Sequence, residues 1–242
     1  MRDFGAWGIG WILLVFCFAI ALTPIEPVAP VTSTVPVELP QEESVPVVAI
    51  TFDDGPRKST TTKLLDALAL REVPATFFLV GSRISGQEEL IQRMHQEGHQ
   101  IGIHTYDHVI LRDLSQDEFQ AQIQKSRDLL KSIVPDEEFW LRPPYGILDR
   151  QMAEWANSPI ILWSVDPEDW KDDNVSRIVQ TILEEVEDGD IILMHDLYAS
   201  SVDAAIQVVD ALLEQGYCFL TVEELLEYRG ITPENGVRYC EA

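Results

Sequence analysis

The chain has 242 residues, 46% of them hydrophobic, which is enough for one domain with a full core. Its formal net charge of -24 argues against a nucleic-acid partner, because phosphates would be repelled. Three cysteines, Cys17, Cys218 and Cys240, are too few for a disulfide framework and lack zinc-type spacing.

Phe4 to Leu22 contains no charged residue. A spanning helix needs about 20 apolar residues, so residues 1–22 read as a membrane anchor. Ala19-Ile20-Ala21 also offers a small-x-small cleavage site, which keeps a signal peptide open. Residues 23–44 hold Pro24, Pro27, Pro30, Pro36 and Pro40 and read as an extended, semi-rigid linker. Residues 1–46 carry only -4, so most of the acidity, -20, belongs to residues 47–242.

From residue 45 strands and helices alternate. Val45–Ile50 is apolar and β-branched, a buried parallel strand, and Gly55-Pro56 breaks the chain after it. The spacing then predicts a helix over 59–71, a strand over 75–80, a helix over 88–96 and a strand over 100–103. A long helix over 115–133 opens on Ser115-Gln116-Asp117-Glu118, which has the form of a capping box. Next come a strand over 138–142, a short helix over 149–155, a strand over 160–165 and a helix over 175–187. A strand over 190–194, a helix over 202–215, a strand over 217–221 and a helix over 222–228 complete the series. Residues 231–242 read as a tail. Seven βα units with nearly all-apolar strands imply a parallel barrel or a doubly wound sheet.

The polar exceptions gather at the strand ends. Asp53 and Asp54 follow the first strand, His104 the third with His108 four residues on, and Arg142 the fourth. Asp166 follows the fifth, ahead of Asp169-Trp170, and His195-Asp196 the sixth. In a βα barrel all these ends share one rim, where active sites sit. Two adjacent carboxylates repel each other unless a cation is shared between them. Two imidazoles with one carboxylate match an open metal site. An arginine at such a rim pairs with a carboxylate and lowers its pKa. His95 and His99 lie off the rim and read as surface or packing residues. Asp196 reads as a cap for the next segment. The residues alone leave open which of Asp53 and Asp54 would ligate metal.

Thr51-Phe52-Asp53-Asp54-Gly55-Pro56, His104-Thr105-Tyr106-Asp107-His108, Arg142-Pro143-Pro144-Tyr145-Gly146, Asp166-Pro167-Glu168-Asp169-Trp170 and Leu193-Met194-His195 resemble five ordered motifs. These are the motifs of the polysaccharide deacetylases, the NodB-homology group or carbohydrate esterase family 4. The resemblance covers residues 45–230 and departs at no motif position. The Arg-Pro-Pro-Tyr-Gly form and the short ending are most similar to peptidoglycan N-acetylglucosamine deacetylases.

The resemblance implies an α/β fold, a distorted (β/α) barrel of about seven parallel strands. It implies that Asp54, His104 and His108 hold Zn²⁺ or another divalent ion such as Co²⁺. It makes Asp53 the general base kept ionised by Arg142, His195 the acid, and Asp169 the group that orients Arg142 or His195. The Tyr145 backbone N–H would stabilise the oxyanion, and Trp170 and Leu193 would wall a pocket for the acetyl methyl. The implied activity is removal of N-acetyl groups from a cell-wall glycan by a monomer. It would act at the outer face of the membrane, tethered there by the leader, or in the wall after secretion. Two further readings are a chitooligosaccharide deacetylase or O-acetyl xylan esterase with the same site, and an inactive wall-binding module. The intact Asp53, Arg142 and His195 argue against the module.

Overall fold

The computed structural model describes residues 45–242 apart from position 136. The expected leader and linker lie outside the described residues. No helix among the described residues is long and apolar enough to cross a membrane.

The architecture is α/β with parallel pairing. The strands are β1 (Val47–Asp53), β2 (Thr76–Leu79), β3 (Gln100–Ile103), β4 (Ile160–Ile161), β5 (Ile191–His195), β6 (Cys218–Phe219) and β7 (Arg238–Tyr239). The helices are α1 (Lys58–Arg71), α2 (Glu88–Gln96), α3 (Gln116–Ile133), α4 (Arg150–Ala156), α5 (Val175–Glu185), α6 (Ala199–Glu214) and α7 (Val222–Tyr228). One sheet runs β3-β2-β1-β5 with β6 also on β1, and β4 pairs with β7. Single bridges, Ile103 to Leu141, Leu141 to Ile160 and Val165 to Ile192, continue the pairing between β3, β4 and β5.

Period-two alternation divides β1 between two environments. Val48, Ile50 and Phe52 enter the large core under the helices, while Val47 and Ala49 enter a second apolar cluster with Val222, Leu225 and Leu226 of α7. Thr51 and Asp53 continue that second face toward the strand's C-terminal end. The parallel register sets Thr51 beside Leu193 and Asp53 beside His195. The face is therefore apolar at the α7 end and polar at the rim.

Helix starts follow the sequence closely. Ser115 accepts from the Glu118 amide and Glu118 returns a bond to the Ser115 amide, and Thr221 and Glu224 repeat the arrangement ahead of α7. The expected strands over 138–142 and 160–165 are shorter than predicted. In the first, bridge pairing is confined to Leu141, which meets Ile103 on one side and Ile160 on the other. In the second, the Ile191 amide donates to the Ser164 hydroxyl at 3.1 Å in place of a backbone carbonyl, and the ladder breaks there. Residues 231–242, for which the sequence predicts no element, contain β7, and the Ala242 amide donates to the Gly189 carbonyl at 2.9 Å. Cys218 and Cys240 are both free thiols.

Candidate active site

The ends of β1, β3 and β5 and the loops after Leu141 and Val165 line one cleft of ≈ 350 Å³. Asp53, Asp54, His104, His108, Tyr145, Trp170, Leu193 and His195 all line it, together with Trp163 and Asp166. Arg142 lies behind this lining, fully buried.

Asp54, His104 and His108 each offer a ligand atom, and these atoms lie within 4.8 Å of one another. His108 Nε2 is 3.1 Å and His104 Nε2 3.7 Å from Asp54 Oδ1. The Arg142 carbonyl, 2.8 Å from His104 Nδ1, takes up that nitrogen and leaves Nε2 for the cleft. Such second-partner fixing of the tautomer is usual for ligating imidazoles. One carboxylate and two imidazoles with an open side fit a divalent transition ion. Burial holds the His104 pKa below its ordinary value, favouring the neutral, ligating form. The His108 ring stands edge-on to Tyr145 at 4.9 Å between centroids.

Arg142 donates from Nη1 to Asp53 Oδ1 at 2.9 Å and to the Thr51 hydroxyl at 2.6 Å. Its Nη2 donates to the Leu162 carbonyl at 2.8 Å, and its Cζ lies 4.1 Å from the Phe78 ring centroid. The guanidinium is thus held on several sides. Asp169, fully buried in its side chain, receives the His195 amide at 2.8 Å and faces His195 Nδ1 at 2.7 Å. The sequence left Asp169 between Arg142 and His195; it lies on His195. Burial alone would lower the His195 pKa. The hydrogen bond and charge of Asp169, joined by the charges of Asp53 and Asp54, outweigh it and raise the value to about 9.

The loops are held in conformations that side chains seldom adopt. Asp54, Thr105, His108, Tyr145 and Glu168 all have φ between 50° and 73°. Each such residue costs roughly 1–3 kcal/mol and persists where its surroundings over-determine it. Gln122 of α3 supplies part of that support, accepting from the Tyr106 and Asp107 amides at 3.0 and 2.9 Å.

Asp196 does not cap α6. It is fully buried against Gly55, bonded to the Thr61 hydroxyl, and burial raises its pKa to about 7. His95 meets Glu137 at the surface, and buried His99 accepts from the Ala75 amide, so both lie off the cleft as expected. Sequence reasoning passed over Thr51, Phe78, Gln122 and Trp163. Thr51 alone left a signal: it is a polar residue in an apolar strand, two positions from Asp53 and so on the same face.

Residues 41–159 match the polysaccharide deacetylase family. The chain is 40% identical over 197 residues to the peptidoglycan-N-acetylmuramic acid deacetylase PdaC of Bacillus subtilis, covering 80% of this chain and 42% of that one. It thus spans about two fifths of that relative's length. It is 34% identical over 200 residues to a peptidoglycan-N-acetylglucosamine deacetylase of Bacillus cereus, covering 79% of this chain and 92% of that one. Among solved structures, a family 4 acetyl xylan esterase from Clostridium thermocellum, in complex with a cobalt ion, superimposes with a TM-score of 0.77 at 26% identity. That match covers 81% of this chain and 98% of the other.

Proposed function

The chain belongs to the polysaccharide deacetylase family, and we propose that it removes N-acetyl groups from N-acetylglucosamine residues of peptidoglycan in a metal-dependent hydrolysis. The observation that carries this reading is the convergence of Asp54, His104 and His108 within 4.8 Å beside the register pair Asp53 and His195. The bridges at Leu141 and Val165 support the finer description of the fold as a distorted barrel.

Asp54, His104 and His108 would hold Zn²⁺ or a similar divalent ion such as Co²⁺. When bound, that ion polarises the acetyl carbonyl and lowers the pKa of a water. Asp53 is the base that takes the proton of the attacking water, and Arg142 holds it in place through the bond from Nη1 to Oδ1. His195 is the acid for the departing sugar nitrogen. With Nδ1 committed to Asp169, its Nε2 carries the proton it gives. The Tyr145 backbone N–H donates to the oxygen on which charge develops. Trp170, Leu193 and Trp163 wall the space for the acetyl methyl.

A second reading has N-acetylmuramic acid as the sugar, which the name of the Bacillus subtilis relative supports. Action outside the cell is the setting in which either substrate is met. The test is acetate release from N-acetylglucosamine oligomers and from peptidoglycan, with chelator and after restoring Zn²⁺ or Co²⁺. Activity lost on chelation and restored by metal is the expected result. Activity indifferent to chelation, from protein containing no metal, would overturn the reading.

A further inference from the structure

Beside the cleft lies a second hollow of ≈ 340 Å³, lined by Pro56, Arg57, Arg83, Gln87 and Leu197. None of these residues lines the first cleft. All of them but Gln87 lie just past the C-terminal ends of β1, β2 and β5, so the two hollows share a rim, and the Asp54–Pro56 turn runs from one to the other.

The composition of this hollow departs from the rest of the molecule. The chain holds 41 acids against 17 lysines and arginines, yet the lining has two guanidinium groups, one amide and no carboxylate. Both arginines are exposed, and among the described residues neither forms an ion pair with an acid. Backbone carbonyls hold the two arginines instead. Arg57 Nη1 donates to the Leu197 carbonyl at 2.8 Å, and Arg83 Nη1 to the Asp54 carbonyl at 2.5 Å. A neutral carbonyl positions a guanidinium without cancelling its charge, and most of each five-donor fork stays available. In a body carrying -20, these two cations stand beside the cleft with no acid of the described residues to neutralise them.

We propose that Arg57 and Arg83 form a carboxylate-binding subsite that takes the acidic group of a muramyl unit while the acetamido group of the same polymer occupies the cleft. This rests on the peptidoglycan reading above and makes it narrower. It assigns the enzyme to acid-bearing wall glycan over neutral chitin-like oligomers. It also gives a negatively charged protein a local means of engaging a negatively charged polymer. The carboxylate has two sources: the lactyl group of a muramyl sugar that carries no peptide, and, where a stem is amide-linked through that lactyl group, the free carboxylates of the stem.

The experiment uses the full chain as wild type, Arg57→Gln and Arg57→Glu. The three substrates are neutral N-acetylglucosamine oligomers, glycan strands stripped of peptide, and the same strands with stems. Arg57→Gln should raise KM on muramyl strands roughly three- to fivefold, the size of one exposed charge pair. Arg57→Glu should raise it further, both should leave the neutral oligomers unchanged, and added salt should narrow the wild-type preference. An effect on stripped strands assigns the lactyl carboxylate, and an effect only with stems assigns the peptide. Equal KM for wild type and Arg57→Glu on all three substrates would overturn the subsite. Equilibrium dialysis of the labelled strands separates this from failure of the function itself. Where no acetate is released, charge-dependent loss of strand binding still supports the subsite, and equal binding by all three proteins removes it.

Discussion

Arg142 and Asp53 form an ion pair at 2.9 Å in which neither side chain is more than 3% exposed. Burial lowers the Arg142 pKa, and the Asp53 charge opposes that shift. Each ion is tolerated only because the other is present. Arg142→Met should therefore destabilise the fold by about 3–5 kcal/mol, since it leaves a buried carboxylate without its partner. Urea unfolding measures this. A change below about 1 kcal/mol would place the pair among ordinary surface bridges.

The division between base and ligand separates the next set of variants. Asp53→Asn should keep its metal and lose roughly 10²–10⁴ in rate, the usual cost of a missing general base. His104→Ala should lose both metal and activity. Metal content by atomic absorption, beside acetate release, distinguishes them. An Asp53→Asn protein that emerges without metal would show that Asp53 is itself a ligand.

Asp169 sets a pH dependence through His195. The protonated imidazole is the proposed acid, and its pKa is raised from 6.5 to about 9 chiefly by the Asp169 bond, so activity should fall on the alkaline side near pH 9. Asp169→Asn removes the charge that favours the protonated form and should move that fall toward pH 6.5. The stability effect has the matching sign. A raised folded pKa stabilises fully below the unfolded value and is lost as pH rises through the folded one. The stability gap between wild type and Asp169→Asn should then be widest below pH 6.5 and close above pH 9. An alkaline limb that stays in place in the variant would detach Asp169 from the acid.

The leader and linker expected from the sequence of residues 1–44 predict a tethered enzyme. A linker of this composition reaches up to about 3.1 Å per residue when extended. The full chain should sediment with membranes and be open to protease from outside. A truncation beginning at Val45 should be soluble and active, because it keeps the Pro46 carbonyl that accepts from Cys218 and the Val47 amide that donates to Asp188. Full-length chain recovered from the cytosol would count against export. Recovery in the medium with the leader removed would show a cleaved signal.

Much of this was legible in the chain because its signals are local. Breakers and caps are written in adjacent residues, so Glu88–Gln96 and Val222–Tyr228 are helices over the residues expected. Alternation along a strand fixes which residues share a face, and the apolar runs fixed where strands end. That was enough to send Asp53, Asp54, His104, His108 and His195 to one rim. The strand over 160–165 was misjudged because its interruption depends on the Ser164 hydroxyl meeting an amide 27 residues away.

The sequence alone settled which chemical groups the rim would carry, since identity and spacing are properties of the chain itself. What it left to the tertiary structure was the choice among partners. Asp169 lies two or more segments from both Arg142 and His195 in sequence, and the bridge between Val165 and Ile192, with the loop that follows Val165, brings it to the imidazole. Thr51 and Phe78 became part of the Arg142 setting, and Asp196 turned back beneath Gly55, for the same reason. A buried polar group must find a partner or a packed surface wherever the fold provides one. That provision is made by strands distant in the chain, and no local pattern encodes it.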